Sequence, residues 1–354
     1  MPKIAAVPLF VLTLSLCAAC AGGAKNRPES SPGEEPVWIT GADQVYSRLR
    51  YMTAVGYGPG RAVAEKEALA NMISVFGQTV QVDRQSMVGY QEALRRDTVA
   101  SYFRNTEITN AIKTSAELDI LIGAEIREYW YDGQGVHYAL AVIEKSKAVS
   151  LYSELVKANR EIISILTTLE EEEKYSLDGY ARFLLAAKIA GGNRVFSNIL
   201  SVLGGGMTPS SRELAEAENF RVEARDIARR IPVDVRVDND NSGRIQGAFT
   251  AVIGKKGFLT GGQDSRYTLE VTLKLSPVEL PGQQNKFIRY ELAAKLLDRV
   301  TGNVLLPYTV SGRDGHLTIP EAENRAITTL EREIAGGWDA VFSAYLDSLS
   351  PHQR

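Results

Sequence analysis

The stretch YMTAVGYGPGRAVAEKEALANMISVF, residues 51–76, reads as a strand, a glycine-rich turn and a helix. Tyr51 to Tyr57 forms a short apolar strand that ends at Gly58-Pro59-Gly60. From Arg61 onward, Leu69, Met72, Ile73 and Phe76 recur at three- and four-residue steps, while Arg61, Glu65, Lys66 and Glu67 fall elsewhere, as in an amphipathic helix. Val80 and Val82 alternate with Gln81 and Asp83 and predict a strand running back. Further on, residues 118–131 and 136–143 flank Asp132-Gly133, a hairpin signal. In the second arm, Val136, Tyr138, Leu140 and Val142 share one face, and His137, Ala139, Ala141 and Ile143 share the other. Both faces read as mostly buried, so His137 is expected to pack at the rim of the core rather than to bind a ligand. The glycines around residue 58 do not make a phosphate loop. A dinucleotide fingerprint needs glycine where Arg61 stands, and the Gly-Lys-Ser or Gly-Lys-Thr of a P-loop is absent.

Working outward, 354 residues make about two domains at the ~150 residues of a typical one. An apolar fraction of 44% with 23% charged residues is that of a chain able to bury a core, which excludes a disordered or collagenous protein. Forty Lys plus Arg against 43 Asp plus Glu leave a net charge of −3, without the basic excess that neutralises a phosphate backbone, so nucleic acid is not an expected partner. The cysteines are Cys17 and Cys20, and the histidines His137, His316 and His352. These are too few for a Cys-rich zinc site or a His cluster, and no metal or cofactor is expected.

The amino terminus reads as an address. Residues 4–16, IAAVPLFVLTLSL, form an apolar run behind Lys3 that has signal-peptide length and is shorter than the ~20 residues a membrane span needs. The run ends in Leu16-Cys17-Ala18-Ala19-Cys20, which resembles the lipobox cleaved by bacterial lipoprotein signal peptidase, with Cys17 standing where leucine is usual. On that resemblance residues 1–19 are a signal peptide and Cys20 is the lipid-anchor residue, its sulfur joined to a diacylglycerol. The alternative is a conventionally cleaved secreted protein with an incidental cysteine. Each buried CH2 of an acyl chain contributes ~0.8 kcal/mol, so two or three chains hold a protein on a membrane where one does not. Processing removes Lys3 and Cys17, leaves Cys20 as the only thiol, and rules out a disulfide in the folded part. Residues 20–35 read as a lipidated spacer rich in Gly, Pro, Ser and Glu. Ala21 rather than Asp after the lipidated cysteine resembles the pattern of export to the outer membrane.

Residues 36–155 form the first module, and residues 156–230 a helical connecting region. Apolar residues from Ala148 to Leu169 keep helical spacing over about six turns. The run from Glu170 to Glu173 reads as a solvated helix face or end. A second helix over 177–190 is expected to stop at Gly191-Gly192, and a third over 195–203 at the triple glycine that begins with Gly204. Phe183, Leu184, Leu185, Ile189, Phe196, Ile199, Leu200 and Leu203 are expected in a core. A charged helix over 211–230 ends at Ile231-Pro232.

Residues 231–350 form the second module. Val233, Val235 and Val237 predict a half-exposed strand, and residues 244–256 a helix. Strands follow over 267–275, 288–300 and 304–310, the last two joined by a hairpin over 298–302. Thr318 and Glu321 match a capping box for a helix through about Ile334, and residues 338–349 continue helical. Two such modules joined by helices make the fold class α+β, as two small sandwiches. The loop from Asp238 to Gly243 puts oxygens at the first, third and fifth positions of a calcium loop, but Phe249 stands where the bidentate acid belongs. The same residues are ordinary turn and N-cap residues.

Several packing residues of the first module carry a resemblance. Pro36 and Trp38, Ala54-Val55-Gly56 before Gly58, the helix alanines Ala64, Ala68 and Ala70, then Trp130 and Tyr138-Ala139-Leu140 resemble the LPP-twenty family of bacterial outer-membrane lipoproteins. The element order of the second half resembles that of lipoprotein activators of penicillin-binding proteins and of curli-secretion lipoproteins. The resemblance implies an envelope lipoprotein with an α+β domain, no catalytic residues, a membrane contact through its lipid, and other envelope proteins or peptidoglycan as partners. The alternatives are an activator of wall synthesis, a secretion or flagellar assembly component, or a wall hydrolase. A hydrolytic triad would have to draw on His316, which has Asp314 nearby in a segment that reads as a loop.

Overall fold

The computed structural model describes residues 34–79, 84–94, 121–204, 211–262 and 265–349. Cys20 and the strand expected around Val80 and Val82 lie outside them.

In the first module, helix α1 (Trp38–Val45) leads into strand β1 (Tyr51–Gly58), and helices α2 (Arg61–Thr79) and α3 (Arg84–Leu94) follow. The hairpin of β2 (Ala124–Tyr131) and β3 (His137–Glu144) completes an antiparallel sheet of order β1-β3-β2. Asp132 closes the hairpin, its Oδ1 accepting from the amides of Gln134 (2.7 Å) and Val136 (2.9 Å). Both faces of β3 are buried, as the apolar run at its centre requires: Ala139 to Ile143 are all at or below 1% exposed. On one face Gly56, Ala54, Ala139 and Ala141 form a floor of small residues, and α2 lies on it through Ala64 and Ala68. A Cβ on Gly56 would sit 2.0 Å from the Ala68 amide nitrogen, so the strand residue must be glycine for the helix to come this close. On the other face Trp38 and Tyr46 from the α1 region pack on Trp130, Leu140 and Val142.

Helix α4 (Lys145–Thr167) follows β3 directly, and the short α5 (Glu171–Lys174) bears the exposed acidic run. Helix α6 (Leu177–Val202) is continuous, which corrects the expected stop at Gly191-Gly192. The two glycines serve close approach: a Cβ on Gly192 would lie 2.5 Å from the Tyr90 ring of α3, and one on Gly191 3.3 Å from Ser86 Oγ. Gly204, at φ +82, stands two residues past the end of α6 in the left-handed conformation typical of helix termination. The segment expected to connect the modules supplies core to both. Leu177, Tyr180 and Phe183 belong to the second core, whereas Leu185 to Leu203 belong to the first.

Helix α7 (Ser211–Ala228) leads to the second sheet, whose strands are β4 (Pro232–Asp238), β5 (Leu259–Thr260), β6 (Tyr267–Val278), β7 (Lys286–Asp298) and β8 (Asn303–His316). Their order is β5-β4-β6-β7-β8, with β4 parallel to both β5 and β6 and the rest antiparallel. The expected three-stranded piece is thus the larger part of a five-stranded mixed sheet. Helices α8 (Arg244–Lys255), α9 (Ile319–Glu333) and α10 (Asp339–Ser348) contribute to the core on one side of it, around Phe249, Leu330, Trp338 and Phe342. Between α9 and α10 the chain keeps turning as a π-helix, Ile334–Trp338, instead of breaking at Gly336-Gly337. There Trp338 stacks on Phe342 at 5.7 Å and meets Phe249 and Tyr308 edge-on. Thr318 at the start of α9 hydrogen-bonds the Glu321 carboxylate at 3.1 Å but makes no side-chain bond to a helix amide, so the two residues pair side chain to side chain and the reciprocal capping box is not formed.

Candidate functional site

The predicted site residues do not converge. His137 lies at the end of β3 with its ring stacked between Tyr131 (4.6 Å) and Tyr129 (5.8 Å), and its Nδ1 shares a hydrogen bond with the Tyr129 hydroxyl. The Arg61 guanidinium lies over the Tyr129 ring, 4.7 Å from its centroid. His137 is therefore a rim residue held by aromatic neighbours, as its strand pattern predicts. This end of the first sheet also carries a row of rings across all three strands, Tyr57, Tyr138 and Trp130, with centroids 6.2 and 5.4 Å apart. Tyr57 is the exposed member. The row follows from register, which a single strand does not reveal.

The expectation of a loop around His316 is corrected. Strand β8 runs through His316, which pairs with Lys286 of β7. Gly312 and Gly315 look like loop signals, yet each sits opposite an aromatic residue whose ring fills its place: Tyr290 over Gly312 and Phe287 over Gly315, where an added Cβ would fall 2.2 and 2.5 Å from ring atoms or the hydroxyl. His316 meets the carboxylate of Glu321 at the start of α9. Asp314 instead stands near Tyr290, whose hydroxyl is held above the usual tyrosine range by burial and by that negative charge.

The Asp238–Gly243 loop turns its Asp240 carboxylate onto its own chain. Asp240 accepts from the Ser242 hydroxyl (3.0 Å) and the Gln246 amide (2.9 Å), and the Asn239 side-chain amide donates to the Leu273 carbonyl (3.1 Å). Asn239 and Gly243 both take positive φ. The loop is built as a turn that starts α8.

What the strands do create is an open face. On the side of the second sheet away from its helices, Arg236, Glu270 and Lys295 stand side by side on β4, β6 and β7, with Asp238, Thr272 and Ala293 in the next row. A shallow cavity of about 460 Å³ lies there. Glu270 pairs with Lys295 at 2.9 Å, and Arg236 with Asp234 at 2.6 Å. Charges of both signs over small residues fit recognition of a polar surface, and no nucleophile, base and orienting acid come together on it.

Residues 36–144 match the family model of the LPP20 lipoprotein. The first module is thus similar to the LPP20 lipoprotein family over nearly all of its length. The match falls on the stretch whose packing residues carry the resemblance noted above. A search of curated proteins finds no match. Among solved structures, the chain is similar to a secreted protein of Helicobacter pylori at 12% identity and a TM-score of 0.39, over 80% of this chain and 97% of that one. A minor lipoprotein of Acinetobacter baumannii is 15% identical at a TM-score of 0.25, over 33% and 93% of the two chains. Lipoprotein GNA1162 of Neisseria meningitidis is 9% identical at 0.20, over 28% and 96%. At such scores these likenesses fix no further property of this chain.

Proposed function

We propose that this LPP20 lipoprotein is anchored in the outer membrane through lipid on Cys20 and holds its two modules there in a non-catalytic, structural or protein-binding role. The observation that carries the reading is the LPP20 match beginning at residue 36, one short spacer behind a lipobox that ends at Cys20. Its partners on this reading are the membrane and other envelope proteins or peptidoglycan. The inert role is supported by where the histidines fall, His137 among aromatic rings and His316 against Glu321, and by the mixed-charge open face of the second sheet.

The test is mass spectrometry of the mature amino-terminal peptide, with fractionation of the intact envelope. The expected result is a diacylated or triacylated Cys20 and recovery with the outer membrane, and a Cys20→Ala chain that leaves the membrane fraction. An unmodified residue 20, or a wild-type chain recovered in the soluble fraction, would overturn the anchor. A His316→Ala chain that stays folded but loses a hydrolytic activity of the wild type would overturn the non-catalytic role.

A further inference from the structure

Scattered exposed apolar residues are ordinary on a folded protein, but three of them gather where the folded chain meets its spacer. Val37 is 53% exposed, Val45 54% and Leu49 89%, within residues 37–50, directly after the end of the spacer at Glu35. Exposure sets them apart from Trp38, Ala42 and Tyr46, which pack onto the first sheet. The segment thus turns one set of apolar residues inward and leaves another outward. Polar groups of interfacial character surround the outward set. Arg48 is exposed and reaches Asp43 at 3.1 Å, and the Arg50 guanidinium lies 5.5 Å from the Tyr51 ring. Arg127 adds a second guanidinium over the rings of Tyr46 and Tyr51 and pairs with Glu125, the Tyr46 hydroxyl donates to Glu128 Oε1 at 2.6 Å, and Glu34, Glu35 and Asp43 are the acids of the segment itself.

We infer that the α1 segment, through Val37, Val45 and Leu49, rests on the phospholipid surface that holds the Cys20 anchor. The inference rests on the anchoring proposed above. Aliphatic tips with arginines and tyrosines beside them are what the boundary between headgroups and acyl chains accommodates, because the tips enter the apolar layer while guanidinium and hydroxyl groups stay with phosphate and water. The occupant follows from the covalent order. Only a short stretch of chain separates Cys20 from Val37, so the bilayer is presented to this face at an effective concentration on the order of millimolar, enough for a patch too small to bind lipid alone. The segment would then set how the LPP20 domain stands on the membrane.

The experiment uses the full-length, processed lipoprotein in vesicles of phosphatidylethanolamine and phosphatidylglycerol. Leu49→Cys, Val45→Cys and, as a distant exposed control, Val300→Cys are each labelled with a nitrobenzoxadiazole probe; Cys20 is blocked by its thioether, so only the introduced thiol reacts. The expected result is blue-shifted emission at 49 and 45, quenched at least twofold more by nitroxide-labelled lipids than at 300. Probes at 49 and 45 that are quenched no more than the control, on protein that floats with the vesicles, overturn the inference and leave the anchor standing. Shielding at 49 that grows with protein density and ignores lipid quenchers assigns the face to a second copy of the chain and also overturns it. Protein that fails to float removes the anchor and this inference together.

Discussion

Single residues decide how closely the elements of this protein approach one another, and glycines mark the places. Gly56 lies beneath Ala64 and Ala68, where an added Cβ would meet backbone atoms that cannot swing aside. Gly56→Val is therefore expected to destabilise the first module by about 3 kcal/mol, the upper range of overpacking, by urea denaturation. Gly60→Ala, where nothing lies within 4 Å of the new methyl, should leave the midpoint nearly unchanged. Equal effects at the two positions would remove close packing as the reason for glycine at 56. Charge is equally local at Asp339, whose carboxylate Lys256 (2.7 Å) and Lys255 (2.9 Å) hold down to about 2 from an ordinary 3.8. A depressed carboxylate stabilises the fold above its unfolded value, and that contribution is lost as pH falls from 3.8 through about 2. Lys255 is largely exposed, which discounts the gain to about 1 kcal/mol. Asp339→Asn should lose this stability at neutral pH and show a shallower decline between pH 4 and 2. A variant with the wild-type acid limb would show that the lysine contacts contribute nothing.

At the scale of elements, the sequence reads well wherever one period governs a segment. The helix of residues 61–79, the Asp132 hairpin and the α8 helix all follow from apolar spacing and turn residues, because each is settled by its own few residues. It misreads where a distant residue fills the space a glycine leaves. Gly191-Gly192 signals a helix end in isolation, but Tyr90 and Ser86 of α3 lie against it and the helix runs on; Gly312 and Gly315 signal a loop, but Tyr290 and Phe287 cover them and the strand runs on. None of those rings is a sequence neighbour of the glycine it covers. The candidate surfaces are legible to a smaller degree for the same reason, since the Tyr57–Tyr138–Trp130 row and the Arg236–Glu270–Lys295 row exist only through register. The meeting of α3, α4 and α6 is also fixed by a buried polar chain: the Tyr90 hydroxyl donates to Asn159 Oδ1 at 3.1 Å, and Asn159 Nδ2 donates to Asn193 Oδ1 at 2.7 Å. Burial raises the Tyr90 hydroxyl far above the usual tyrosine range, so it remains a donor at any physiological pH. Asn159→Ala strands both partners in the core and is expected to cost about 2 to 3 kcal/mol in thermal or urea unfolding. A loss below 0.5 kcal/mol would mean that the chain is not what holds the three helices in register.

For the whole molecule, α6 decides whether the two modules behave as one. Its first two turns are packed by Ile227, Phe258 and Tyr267 of the second core, with the Tyr180 hydroxyl donating to the Lys256 carbonyl at 3.3 Å, while its remainder is built into the first core with Tyr90, Tyr152 and Ile162. A helix is stiff over its length, and here neither core is complete without its part of the same one. Unfolding one core therefore removes a wall of the other, and the chain should melt as a single cooperative unit, although its size alone would permit two transitions. Gly192→Val separates the alternatives. The substitution acts beside Tyr90 in the first core, but on this argument it should lower protection from hydrogen exchange both in β3 of the first sheet and in β6 and β7 of the second. Loss confined to β3, with the second sheet as protected as in the wild type, would show that α6 joins the modules without coupling them.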